Sequence, residues 1–178
     1  DGLGNVREGR NADGTPRYPE PQRHRADAWA DDFILELVNS HPGEISIITL
    51  GPLTNIAHAA ELDLEGIRKA KEIIIMGGAF ETYGNISLSA EFNIAVDPEA
   101  AQSVFALGLP ITVAPLDVTH QVLLKKSMLD PYLRGAASPV AQFIADCTET
   151  VMAVHAERYG EHGCFMHDPL AVALACDE

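Results

Sequence analysis

The chain has 178 residues, enough for one domain with a sizeable core, and 47% of them are hydrophobic. Twenty-six acidic residues against 12 basic ones give a formal net charge of −14, which argues against a nucleic-acid backbone as partner, since phosphate binding needs clustered Lys and Arg. No apolar run is long enough to span a bilayer, so no membrane partner is expected.

In chain order, residues 1–25 are rich in Gly, Pro, Arg and Asn without apolar periodicity and predict an extended loop. Residues 26–40 place Ala28, Trp29, Phe33, Ile34, Leu37 and Val38 near helical spacing, and His41-Pro42-Gly43 ends that helix. Glu44–Leu50 reads as a buried strand broken by Gly51-Pro52. Leu53–Leu62 predicts a second helix and Ile67–Ala70 a short turn of another. Glu72–Met76 is a second buried strand, closed by Gly77-Gly78. Asp97-Pro98-Glu99 opens a helix with a capping carboxylate and a proline at the first position, and Gly108 stops it. Ile111–Ala114 is a third strand, followed by a short helix at 126–134 and a long one at Pro139–Tyr159. The last helix, Asp168–Cys176, has Asp168 at the capping position before Pro169.

Buried strands alternating with helices predict an α/β fold: one Rossmann-like, mostly parallel sheet over residues 1–178, with helices on both faces. Ligands of such sheets bind beyond the carboxyl ends of the strands, here Leu50-Gly51-Pro52 and Met76-Gly77-Gly78. Cys147, Cys164 and Cys176 are odd in number and lack zinc spacing, which fits free thiols in a reducing, cytoplasmic compartment. The opening Asp1-Gly2-Leu3-Gly4, without a methionine, and the close at Glu178 are expected to be cut ends, so the lack of a visible secretory signal carries little weight.

Two stretches can carry chemistry. The run Met76–Asn93 gathers Asn85, Glu91 and Asn93 in a polar loop after a strand. In an extended segment Glu91 and Asn93 face the same way, with Phe92 between them pointing into the core. Amides plus a carboxylate suit a polyhydroxylated ring, and equally suit the capping of turns in a solvated loop. Downstream, Asp168 is either a plain helix cap or a carboxylate ligand to a hard cation, with His167 beside it as a proton donor.

Taken in order, six segments give the chain its resemblance to the inosine–uridine-type nucleoside hydrolases. They are Asp1–Gly4, Gly51–Ala57, Ile73–Phe80, Gly84–Ala101, Pro115–Gln121 and Met166–Ala173. The resemblance implies hydrolysis of the N-glycosidic bond of a ribonucleoside, with one Ca²⁺ in the pocket. By position, the Leu50 carbonyl and Asp168 match metal ligands; Asn85, Glu91, Asn93 and Asp168 match ribose contacts, with Met76 lining the pocket; and His167 matches the histidine near the leaving base. Asn55, Asp97 and Asp117 are expected to be structural, and His24, His41, His58, His120 and His162 to be surface or packing histidines. His155, Tyr159 and Phe165 could reach a base, although His155 and Tyr159 also read as exposed helix residues.

The family's Asp-rich N-terminal motif, with its general base and most calcium ligands, is not in these residues. Asp31-Asp32 is the only adjacent Asp pair and sits in an amphipathic helix, so it is not nominated. The expectation is an internal portion of a larger hydrolase domain, inactive by itself. By resemblance the whole protein is a homodimer or homotetramer. The alternatives are a non-catalytic sugar-binding relic and a hydrolase of another N-riboside, such as a nicotinamide riboside.

Overall fold

The computed structural model describes residues 5–18, 20, 22–23, 27–133, 138–160 and 162–176. The expected Gly-rich opening at 1–4, His24 and position 134 lie outside them. The chain divides into two compact units, one of residues 26–122 with 166–178 and one of residues 1–25 with 123–165.

The larger unit holds a three-stranded parallel sheet in the order β1 (Ser46–Thr49), β2 (Glu72–Met76), β3 (Ile111–Ala114). Its register sets Thr49 beside Ile75, Ile75 beside Val113 and Met76 beside Ala114, so the carboxyl ends of all three strands share one edge. Residues of β2 alternate between two cores, as the two-residue period of a strand requires. Ile73 and Ile75, both fully buried, pack with Leu53, Ile56 and Ala59 of the α2 segment (Thr54–Leu62) and with Ala101 and Val104 of the α5 segment (Pro98–Phe105). Ile74 and Met76 face the other way, onto Ala114, Leu116 and Ala171. Helices therefore cover both faces of a nearly continuous apolar strand, the burial pattern of an α/β sheet.

Helix ends follow local chemistry. The Asp63 carboxylate accepts from the Gly66 N–H at 2.8 Å and starts α3 (Leu64–Ile67). That turn lies three residues earlier than the predicted 67–70, because Asp63 supplies the cap. Helix α1 (Ala30–Ser40) begins at Ala30 rather than 26, and Trp29 is 80% exposed instead of joining its apolar face. Two short helices escaped the pattern reading: α4 (Phe92–Val96) and α6 (Leu116–Thr119).

The smaller unit carries a 3₁₀ turn at Val6–Glu8, an antiparallel pair of β4 (Leu123–Lys125) with β5 (Gly163–Phe165), α7 (Lys126–Leu133) and α8 (Pro139–Tyr159). Gly160, at φ 71°, takes the left-handed position that ends α8. Asp146 of α8 accepts from Arg17, Tyr18 and Gln142. Burial and this carboxylate push the Tyr18 phenol up to about 12. No helix among the described residues is long and apolar enough to cross a membrane. The last helix, α9 (His167–Cys176), belongs to the larger unit and packs on the sheet through Ala171.

Candidate active site

The loop after β2 is ordered by a buried carboxylate. Glu91, 2% exposed, accepts from the Gly78 N–H at 3.0 Å, the Asn93 N–H at 2.9 Å and the Ile94 N–H at 3.1 Å. Two of those donors open α4, so Glu91 is the N-cap of that helix. The expected extended segment with Phe92 in the core is therefore corrected. Helical geometry turns Phe92 outward, 48% exposed, and buries both Glu91 and Asn93. The cause is local: a chain that must supply partners for free first-turn N–H groups winds around Glu91 rather than extending past it.

Asn93 donates through Nδ2 to the Met76 carbonyl at 3.0 Å and lies 3.3 Å from the Met76 sulfur, which ties α4 to the end of β2. Only the amide nitrogen can face that carbonyl, so Oδ1 is turned elsewhere. Asn85 Oδ1 accepts the Phe92 N–H at 2.8 Å and closes the loop onto the helix start. The same loop is held from below by Asp117 of α6, whose carboxylate accepts the Phe80 and Glu81 N–H groups at 2.9 and 2.6 Å. Those two bonds hold the Asp117 carboxyl below the usual carboxylate range. A cavity of about 360 Å³ lies beside Glu91, bounded by Gly77, Gly78, Phe80, Ala90 and Ile94. A second, of about 430 Å³, lies between α7 and α8 in the smaller unit and touches none of the sequence-derived site residues.

Asp168 differs from the other carboxylates. The first α9 bond runs from the Leu170 N–H to the Met166 carbonyl, so the helix starts earlier than predicted and Asp168 lies inside its first turn. The N-cap expectation is thus overturned. Among the described residues its carboxylate accepts no hydrogen bond, and burial together with the nearby Glu91 charge pushes its pKa up, although the residue remains solvent-accessible. Asp168 continues the stripe Ala171–Ala175, which packs on the sheet, and so stands toward the strand ends. Leu50 follows Thr49 at that same edge, flanking Met76.

The remaining predicted residues sort by contact. His167 Nδ1 lies 2.7 Å from the hydroxyl of the fully buried Thr119, and its ring meets that of His120 edge-on at 5.5 Å. Burial lowers the His120 pKa, partly offset by Asp117. His58 pairs with the buried Asp31. His155 is half-buried rather than exposed: its Nδ1 accepts the Phe165 N–H, and its ring packs on Tyr159 and Phe165 in the smaller unit. Thr119 went unrecognised from sequence, its only signal being its place between Asp117 and His120 in the Pro115–Gln121 segment. Asp97 is structural as expected, capping α5 and accepting from Thr54.

Among the described residues no group of three or more His, Cys, Asp or Glu side chains is close enough to hold a metal ion. One free carboxylate and one strand-end carbonyl do not make the six or more oxygen ligands that Ca²⁺ takes.

The family profile described as inosine-uridine preferring nucleoside hydrolase matches residues 1–178. A rice protein named probable uridine nucleosidase 1 is 40% identical over 172 residues, covering 96% of this chain and 49% of its own. A plant nucleoside hydrolase structure superposes with a TM-score of 0.84 at 38% identity, over 90% of this chain and 50% of that one. A purine-preferring ribonucleoside hydrolase from Gardnerella vaginalis gives 0.82 at 36%, over 89% and 50%. The chain belongs to the inosine-uridine preferring nucleoside hydrolase family. It spans about half the length of the curated relatives it matches.

Proposed function

We propose that this chain supplies the sugar-binding face of a calcium-dependent enzyme that hydrolyses the N-glycosidic bond of ribonucleosides to ribose and free base. The observation that carries the proposal is Asp168, an accessible carboxylate that accepts no hydrogen bond among the described residues and is electrostatically coupled to the buried Glu91 at the carboxyl edge of the sheet. The relatives are consistent with it, since they are named for uridine, pyrimidine-specific and purine-preferring hydrolysis. That spread of names leaves the base open.

Each residue has a chemical part. Glu91, Asn93 and Asn85 are held by backbone bonds, so their remaining lone pairs and the Asn93 Oδ1 are preset for ribose hydroxyls. A site built to pair those hydroxyls discriminates against 2′-deoxy analogues, which would leave buried polar groups unpaired. Glu91 and Asp168 place negative charge where an oxocarbenium-like sugar becomes positive. His167 is the N–H donor to the departing base. A bound calcium ion would supply a site that orients and acidifies a water. Leu50 through its carbonyl and Asp168 through its carboxylate would be its ligands from this chain.

A second reading, a non-catalytic sugar-binding protein, draws on that incomplete ligand set. A third keeps the fold and changes the riboside. The deciding assay follows ribose release from a panel of ribosides by a family-length protein containing this chain. The expected result is turnover of inosine or uridine, abolished by a chelator and restored by Ca²⁺. Riboside binding without turnover selects the second reading, and turnover of another N-riboside alone selects the third. The 178 residues by themselves are expected to show no tight one-site calcium isotherm.

A further inference from the structure

We propose that Thr119 is a positioning residue: its hydroxyl donates to His167 Nδ1 and so fixes the neutral imidazole in the tautomer whose Nε2 carries the hydrogen. The inference rests on the reading of His167 as the donor facing the departing base: the neutral ring gives the base a hydrogen bond from Nε2–H and transfers no proton, which the base takes from solvent.

Thr119 closes α6 and is fully buried. Both of its backbone groups are engaged: its N–H donates to the Pro115 carbonyl at 3.0 Å and its carbonyl accepts the Val122 N–H at 3.2 Å. The side-chain hydroxyl is therefore the group left to assign. It lies 2.7 Å from His167 Nδ1 and meets no other partner among the described residues. A buried hydroxyl carries one hydrogen that needs an acceptor, and an N–H at Nδ1 would offer none. The Nδ1 lone pair does, so the hydrogen of a neutral ring resides on Nε2. The placement is reinforced twice. The Met166 N–H donates to the Val122 carbonyl at 2.8 Å, which fixes the residue before His167 relative to the α6 segment. The edge of the His120 ring, at 64° to the His167 ring, limits the space into which His167 could turn. A threonine 48 positions upstream thus decides which nitrogen of His167 presents a hydrogen to the leaving group.

The test has a spectroscopic arm and a kinetic arm. In a ¹⁵N-histidine-labelled family-length protein containing this chain, with His167→Gln used for assignment, neutral His167 is expected to show an unprotonated Nδ1 and a protonated Nε2. Thr119→Ser should keep that signature and Thr119→Val should mix the two tautomers. In a family-length protein containing this chain, Thr119→Val should lower kcat for nucleosides about tenfold with KM within about twofold, the scale of one lost hydrogen bond. A nitrophenyl riboside, whose leaving group departs as a stable anion and needs no hydrogen-bond donor, should be nearly unaffected, and Thr119→Ser should recover the nucleoside rate. A wild-type ring with its hydrogen on Nδ1, a Thr119→Val protein unchanged in tautomer and rate, or an equal loss on both substrates would overturn the proposal. If Thr119→Val does not fold, the wild-type tautomer and the Thr119→Ser rate decide. If no riboside is turned over, the functional reading fails, while the tautomer still reports on Thr119.

Discussion

Two Asp-Pro pairs stand near the starts of helices and have opposite fates. Asp97 precedes α5, accepts the Ala100 N–H at 3.0 Å and the Thr54 hydroxyl at 2.5 Å, and has its pKa lowered by those bonds. Asp168 lies one residue inside α9, accepts no hydrogen bond among the described residues, and has its pKa raised by burial and by Glu91. Hydrogen bonds to a carboxylate favour its charged form, whereas burial and a like charge disfavour it. The first aspartate stabilises the fold. The second carries no such bond among the described residues, and its raised pKa is what supports the proposal that it serves a ligand, since perturbed carboxylates cluster at functional sites.

The comparison makes predictions of decreasing size. In a family-length protein containing this chain, Asp168→Asn should lower kcat/KM for a ribonucleoside about 10²–10³-fold, while Asp97→Asn leaves it within severalfold; steady-state ribose release reads both. A Glu91→Ala change, in the buried counterpart of Asp168, strands three backbone N–H groups and should cost about 2–4 kcal/mol of stability, measured by urea unfolding. Equal activities for the two aspartate variants would break the contrast outright.

The acid limb of stability sharpens it. Asp97 and Asp117 have folded pKa values below their unfolded ones, so their contributions are full above the ordinary carboxylate range and vanish as pH falls through the folded values. Asp168 has the reverse sign: its ionisation costs stability as pH rises from the unfolded carboxylate value through the raised folded one. In metal-free protein at neutral pH, Asp168→Asn should therefore raise the melting temperature slightly and Asp97→Asn lower it. Denaturation scans between pH 3 and 7 check both signs, the smallest effects expected.

How much of this was legible follows from what each element depends on. β2 and β3 were read to the residue, because Ile73–Ile75 and Ile111–Val113 leave no helical period to compete. The long helix α8 was also read end to end, since Pro139 and Gly160 mark its limits. The five-residue α4 was missed, being too short for a period and made helical by Glu91, a contact within its own loop. The β4–β5 pair was missed because three-residue strands depend on a partner about forty positions away. Motif order brought Met76, Asn85, Glu91, Asn93, His167 and Asp168 forward together as candidates. Their division of labour was not legible: Asp168-Pro169 looks like a cap on paper, and only the carbonyl of Met166 at the first turn of α9 shows otherwise. Thr119 stayed hidden for the same reason, since its partner is a tertiary neighbour.

The most direct test of the central claim is calcium calorimetry on a family-length protein containing this chain, compared with its Asp168→Asn and Asp97→Asn variants. The account predicts one tight site in the parent and in Asp97→Asn, and its loss in Asp168→Asn. An Asp168→Asn protein that binds calcium as the parent does would contradict it.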